Sequence, residues 1–442
     1  MKTMRSISKF IGAALLAAFA AVPAQAREVS LDVALGTPVI EAGRTQKAFL
    51  KVSITGFEVD RPSERPPVNA AIVLDKSGSM AGEKIMRARE AAIMALDLLG
   101  EGDIVSVVTY DGTVRVVVPA TEVSRRYWIA DAIRTINAGG STALFAGVSK
   151  GAGEVRKYLA RHRVNRVILL SDGLANVGPS TPVELGRLGS ALGTEGISVT
   201  TIGLGLGYNE DLMTQLAGYS DGNHAFVEHP GDLARIFENE FQTAKNVIAK
   251  DLDIVIHCER GIRPIRVLGR DSDIAGQVVR TRMNQLSSRQ EKFVVLEVEI
   301  PAGDAGASQK LASVGLSYIN LITKKSSNLK NSVSVSYTRN EKEVKAKANK
   351  AVMKSSIEQV ANEMSKDAVR LRDQGRVGEA QELLKEGAKH IEEEFGAYAP
   401  APAMEMKQEM SRDADELDEA EWNKKRKSLR ERQFKLDNQQ QY

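Results

Sequence analysis

Residues 70–80 read AAIVLDKSGSM, and this stretch decides how the rest of the chain is read. Residues 70–74 are a short continuous apolar run, the mark of a strand buried on both faces. The run stops at Asp75, and Ser77 and Ser79 follow at alternate positions around Gly78. Alternate residues on a tight turn point the same way, so one carboxylate and two hydroxyls face a common point. Gly78 lets the turn bend without a Cβ clash.

Outward from this stretch, strand and helix alternate. Helical spacing of Ile85, Ala88, Ala92, Leu96 and Leu99 predicts a helix over 83–99, stopped by Gly100. Strands are predicted at 104–109, 166–170, 197–202 and 225–228. A hairpin edge strand at 114–118 follows the Asp111-Gly112 turn. Helices are predicted at 122–136, 182–192, 210–216 and 232–247. This alternation specifies a doubly wound, mainly parallel α/β sheet of Rossmann-like type. Such sheets bind ligands beyond the carboxyl ends of their strands. Asp75 lies just past one strand and Asp172, in LLSDG, just past another; Gly139-Gly140-Ser141-Thr142 is a loop ahead of a helix. Asp75, Ser77, Ser79, Thr142 and Asp172 therefore converge on one edge, with no histidine or cysteine among them. Ligation by oxygen alone suits a hard cation, Mg2+ or else Mn2+ or Ca2+. Two carboxylates on a divalent ion leave a nearly neutral, still electrophilic centre that an anionic ligand completes.

These motifs, Asp75-Lys76-Ser77-Gly78-Ser79 with Gly140-Ser141-Thr142 and Ser171-Asp172-Gly173, resemble the metal-ion-dependent adhesion site of von Willebrand factor type A domains. The resemblance covers about residues 69–248. It implies that Ser77, Ser79 and Thr142 bind the cation through hydroxyls, and that Asp75 and Asp172 act directly or through water. It further implies that an acidic side chain of a protein partner completes the shell.

Other chemistry is poorly supported. An aspartyl-phosphate enzyme would carry a second acid where Ser77 stands. None of His162, His224, His229, His257 and His390 sits in a nucleophile motif, and His224 and His229 read as surface or loop residues. Gly203-Leu204-Gly205-Leu206-Gly207 lacks the lysine of a phosphate loop and reads as a turn. The chain is therefore expected to be a binding protein, not an enzyme. The competing readings are an envelope scaffold with an incidental ion, and a metal-dependent hydrolase, for which no water-activating base is evident.

The flanks differ in character. Residues 28–55 and 251–337 are strand-like and predict one β-sandwich assembled from both sides, with the α/β domain inserted, an arrangement similar to that of integrin β subunits. Single Cys258, on the apolar face of DLDIVIHC, excludes an intramolecular disulfide and reads as a buried, inert thiol. Residues 341–394 predict a C-terminal helical hairpin, similar to one tetratricopeptide-like unit. A Pro/Ala linker follows at 398–402. In the charged tail, acids at 413–421 precede bases at 424–432. The tail reads as a solvated helix or disordered segment; antiparallel pairing of two such tails would make it a self-association device, and deleting residues 405–442 would then lower the mass in solution.

Residues 1–26 read as an export signal: Lys2, Arg5 and Lys9, then an apolar run over 11–22, then Ala24-Gln25-Ala26. The apolar run is shorter than the roughly 20 residues that span a bilayer. Three of the 60 basic residues and none of the 57 acidic ones lie in this leader, so the mature chain is charge-balanced. No basic field favours nucleic acid or anionic lipid. The expectation is an exported bacterial protein, periplasmic or extracellular.

Overall fold

A computed structural model describes residues 28–59, 65–395, 401–417 and 421–440. The leader at 1–26 and most of the 398–402 linker lie outside the described residues. In chain order, the N-terminal segment supplies β1 (Ser30–Leu35), β2 (Val39–Glu41) and β3 (Gln46–Thr55). The α/β domain runs β4 (Val68–Asp75), α1 (Glu83–Asp97), β5 (Ile104–Tyr110), β6 (Val114–Glu122), α2 (Arg126–Arg134), α3 (Leu144–Arg156) and β7 (Val164–Ser171). It continues with α4 (Pro182–Thr194), β8 (Ile197–Leu204), α5 (Glu210–Tyr219), β9 (His224–Val227) and α6 (Leu233–Lys245). There follow β10 (Val247–Cys258), β11 (Arg263–Leu268), β12 (Asp273–Ala275), β13 (Val278–Ser287), β14 (Glu291–Ile300), β15 (Ser308–Asn320) and β16 (Lys325–Thr338). Five helices end the chain: α7 (Glu341–Lys347), α8 (Lys350–Asp373), α9 (Val377–Phe395), α10 (Ala401–Asp415) and α11 (Trp422–Asn438).

The central sheet has strand order β6-β5-β4-β7-β8-β9. All neighbours are parallel except the β5–β6 hairpin. Every residue of β4, β5, β7 and β8 is buried, which explains their unbroken apolar character. One face packs on α1, α2 and α6, through residues such as Ile85, Ile129 and Phe237. The other packs on α3, α4 and α5, through Val148, Leu185 and Leu216. The chain leaves β4 toward β5 on one side and, after β6, returns to β7 on the other. The switch of winding direction therefore falls between β4 and β7, whose ends carry Asp75 and Ser171.

The two outer sheets, β1-β3-β14-β11 and β12-β13-β10-β15-β16-β2, share one apolar core of residues such as Leu50, Val52, Ile254, Ile256, Leu296 and Leu316. β3 pairs with β14 from Gln46↔Ile300 to Thr55↔Glu291, so both flanks build one sandwich, as the alternation predicts. Cys258 is buried in it, and burial pushes its thiol up to about 11.

Four sequence expectations need correction. The stretch 122–136 is not one helix: β6 continues to Glu122, a tight turn spans Val123–Arg125, and only Arg126–Arg134 is α-helical. Backbone pairing with β5 up to Ile104↔Glu122 overrides the helical pattern there. His224 is fully buried on β9, whereas His229 is exposed as expected. The hairpin α8–α9 gains a third apolar partner in α10, through Met410 and Ala414, and in Leu417 just beyond it. Finally, the charged tail is not a solvated segment where it is described. α11 packs on α5, β9 and α8, and its charges meet acids of the same chain. Arg426 reaches Glu210, Asp211 and Asp373, and Lys427 reaches Glu210. Lys425 and Arg432 both pair with Asp413.

Candidate metal centre

Asp75 closes β4 and is fully buried. Its Oδ1 accepts the Ser77 amide at 2.8 Å and its Oδ2 the Ser171 hydroxyl at 2.9 Å. Burial is the largest influence on this carboxyl and raises it above its ordinary range, against the lowering effect of those hydrogen bonds. Beyond it, Ser77 Oγ lies 3.1 Å from Ser79 Oγ, and Ser79 Oγ donates to Asp172 Oδ1 at 2.6 Å.

Backbone bonds between the loops hold this turn. The Lys76 amide donates to the Tyr110 carbonyl at 2.9 Å, the Gly78 amide to Gly140 at 3.0 Å, and the Gly139 amide to Lys76 at 2.6 Å. Gly140 has φ +90°, and a Cβ there would lie 2.9 Å from the Asp111 Cβ, so both conformation and space demand glycine. The Lys76 ammonium pairs with Asp111. Burial pushes the Asp111 carboxyl up, but the hydrogen bonds from Lys76 and Thr113 outweigh it and hold it low.

The third loop locks onto the second. The Thr142 amide donates to Asn176 Oδ1 at 2.8 Å, and the Asn176 and Val177 amides donate to the Thr142 carbonyl at 3.1 and 3.3 Å. A Cβ on Gly173 would sit 3.4 Å from Ser79 Oγ and 3.7 Å from Thr142 Oγ1. Glycine thus leaves open the hollow that these two hydroxyls face. The structure thus brings Asp75, Ser77, Ser79, Thr142 and Asp172 close together at one edge of the sheet.

The donor chemistry fits a hard divalent cation. The Ser79 proton is committed to Asp172, which leaves the oxygen lone pairs for an ion. Among the described residues, no group of three or more His, Cys, Asp or Glu side chains is arranged to hold a metal. An ion here relies on hydroxyls, two carboxylates and water, as Mg2+ prefers, and not on the nitrogen and sulfur ligands of a zinc site. Apolar side chains rim the centre. Leu174 is 60% exposed, Val177 37% and Leu206 45%, and Leu206 adjoins Gly207, whose Cβ position is 2.6 Å from the Asp172 carbonyl.

Sequence reading missed Asn176 and Lys84, and gave no role to Ser171 of the Ser171-Asp172-Gly173 motif. Asn176 clamps the Thr142 loop, Ser171 orients Asp75, and Lys84 in the first turn of α1 donates to Asp172 Oδ2 at 2.6 Å. Lys84 gave no signal, because a lysine at the start of an amphipathic helix reads as solvated.

Comparisons with known proteins bear on the fold that carries these loops. A Synechocystis protein described as uncharacterized is 26% identical over 61% of this chain and 66% of its own length. An uncharacterized Escherichia coli protein, YfbK, is 29% identical over 47% of this chain and 36% of its own length. The chain thus spans less than two thirds of these relatives. Human inter-alpha-trypsin inhibitor heavy chain H3 is 28% identical over 39% of this chain and 19% of its own length. Among solved structures, a von Willebrand factor type A protein from Catenulispora acidiphila superposes with TM-score 0.66 and 17% identity, covering 88% of this chain and 96% of the other. The ArnB paralog VWA2 from Sulfolobus acidocaldarius gives TM-score 0.62 at 18% identity, covering 92% and 98%. The fold match therefore extends beyond the central sheet. Residues 69–239 match the family model of the von Willebrand factor type A domain, and the central domain of this chain belongs to that family.

Proposed function

We propose that the chain binds one divalent cation, Mg2+ or else Mn2+ or Ca2+, through Ser77, Ser79, Thr142, Asp75 and Asp172, and uses it to dock a protein partner that presents an acidic side chain. The observation that carries this reading is the three-loop hollow, where the Ser79 and Thr142 hydroxyls face Gly173, the Ser77 hydroxyl lies 3.1 Å from that of Ser79, and Ser79 donates inward to Asp172. Domains of this family serve in protein–protein interaction, and the exposed Leu174, Val177 and Leu206 around the centre suit a protein surface better than a small polar substrate. The basic, apolar and small-residue order of residues 1–26 supports export, which would place this docking in a bacterial envelope or outside the cell.

Calorimetric titration with Mg2+, Mn2+ and Ca2+, beside folded Asp75→Ala and Asp172→Ala variants, tests the reading. One saturable site lost in both variants is expected. Folded wild type that takes up no ion, alone or with excess acetate, would sink it.

A further inference from the structure

We propose that Lys84 sets the charge that a cation in this centre shows to its ligand, and so makes the loaded centre select an anionic group over a neutral one. The inference rests on the cation-site reading above. The second residue of α1, Lys84 extends its side chain to Asp172 Oδ2, while Ser79 occupies Oδ1. Asp172 is fully enclosed, and the Lys84 side chain is 32% exposed. From the other side the ammonium meets the 205–209 loop, where a Cβ on Gly205 would lie 3.9 Å away.

Two consequences follow. The first is charge. Asp75 and Asp172 alone would balance a divalent ion, but Lys84 offsets one carboxylate, so the loaded centre keeps one surplus positive charge. Lys76 adds nothing to this balance, because Asp111 answers it. The Ser and Thr ligands are uncharged. An incoming carboxylate removes the surplus; an amide or a water does not. The second is geometry. With one oxygen held by Ser79 and the other by Lys84, Asp172 is tied back from chelating the ion with both oxygens. A coordination position is thereby kept for a ligand from outside. Lys84 thus weakens the hold on the ion and strengthens the ion's hold on an anion. At an effective dielectric of about 20, one unit charge a few ångströms away shifts each affinity by about tenfold or more.

The test uses the full mature chain as wild type, Lys84→Met, Lys84→Gln and Lys84→Arg, each checked for folding by circular dichroism. Mn2+ alone is titrated first. Acetate, and acetamide as its neutral twin, are then titrated at saturating Mn2+, with broadening of their methyl proton signals reporting contact with the ion. Lys84→Met and Lys84→Gln are expected to bind Mn2+ about tenfold tighter and acetate about tenfold more weakly, with acetamide unchanged. Lys84→Arg should behave as wild type. The Mn2+-induced rise in Tm should also be larger in the two neutral variants. Neutral variants that bind Mn2+ no tighter, or keep full acetate affinity, overturn the role of Lys84 while leaving the cation site standing. Folded wild type that binds no Mn2+ overturns both.

Discussion

Acidification from pH 7 to 5 should remove about 2 kcal/mol of stability through His224 alone. The ring is fully buried at the start of β9, with Nδ1 2.8 Å from Thr201 Oγ1 and its edge against Phe434 of α11 at a centroid distance of 5.8 Å. Nε2 has no hydrogen-bond partner among the described residues. Burial first, then the nearby Lys435 and Lys427 cations, pull the imidazole from 6.5 down to about 3. The unfolded chain therefore takes up a proton near pH 6.5, and the folded chain does not until about pH 3. Stability must fall as the pH drops through that window. At pH 5 the protonated-to-neutral weighting is about 30-fold in favour of the unfolded state, or about 2 kcal/mol; at pH 7 it is close to nothing. The comparison is with His224→Gln, since subtraction cancels every other titrating group. Urea unfolding is followed by tryptophan fluorescence in a Trp128→Phe background, where Trp422 on α11 is the remaining reporter of the two tryptophans. The stability difference between the two proteins should narrow or reverse by about 2 kcal/mol between pH 7 and 5. Parallel curves would refute the reasoning, and with it the claim that α11 seals this histidine from water.

Three further outcomes are expected. Gly173→Val should abolish divalent-cation binding with little change in Tm, because the added side chain fills the hollow between Ser79 and Thr142 and not the core; retained calorimetric binding would place the ion elsewhere. Arg426→Ala should cost about 3 kcal/mol in urea melts, since Glu210 and Asp211 each lose one of two cations and Asp373 loses its partner in a largely enclosed network. Asp221 is held down at about 2, because Lys292 and Arg270 outweigh the effect of its burial. Its contribution is complete above its ordinary value of 3.8 and is lost as the pH falls toward 2, so Asp221→Asn should flatten the acid limb by about 2 kcal/mol relative to wild type.

What the sequence revealed depended on how local each signal was. β4 and β7 were legible because burial on both faces leaves an uninterrupted apolar run, and four of the five candidate site residues were legible because they sit at or just past strand ends, with Thr142 on the loop ahead of α3. Lys84 escaped notice because its partner, Asp172, is 88 residues away and nothing in the intervening pattern links them. His224 was misread because a polar residue at a strand start looks exposed until α11 is placed over it. α11 itself was misread for the same reason. Its composition is that of a solvated helix, yet Leu429 and Phe434 are buried, and two of the acids that meet Arg426 and Lys427, Glu210 and Asp211, lie more than 200 residues upstream, on α5. Charge pattern shows that such a segment needs partners. It does not show that the same chain supplies them.

The contacts that α11 makes within one chain give a truncation a second possible outcome. Tails paired between copies would make deletion lower the mass in solution. In the structure, the chain end instead covers an open edge. β9 is the last strand of the central sheet, and the Gln440 side chain meets it as a neighbouring strand would. Its Oε1 accepts the His224 amide at 3.1 Å and its Nε2 donates to the His224 carbonyl at 3.1 Å. Next to it, Gln439 Oε1 accepts the Phe293 amide of β14 at 3.3 Å, so one turn of chain fastens the α/β domain to the sandwich. Unpaired strand edges invite pairing with another chain. Deleting residues 439–442 leaves the Arg426 and Lys427 contacts of α11 in place but uncovers β9. The truncated protein should therefore gain mass in light scattering, in a concentration-dependent way, and Gln440→Ala should do so more weakly. A truncated protein that stays at the wild-type mass would show that the β9 edge needs no cover, leaving the fastening to β14 as the role of this segment.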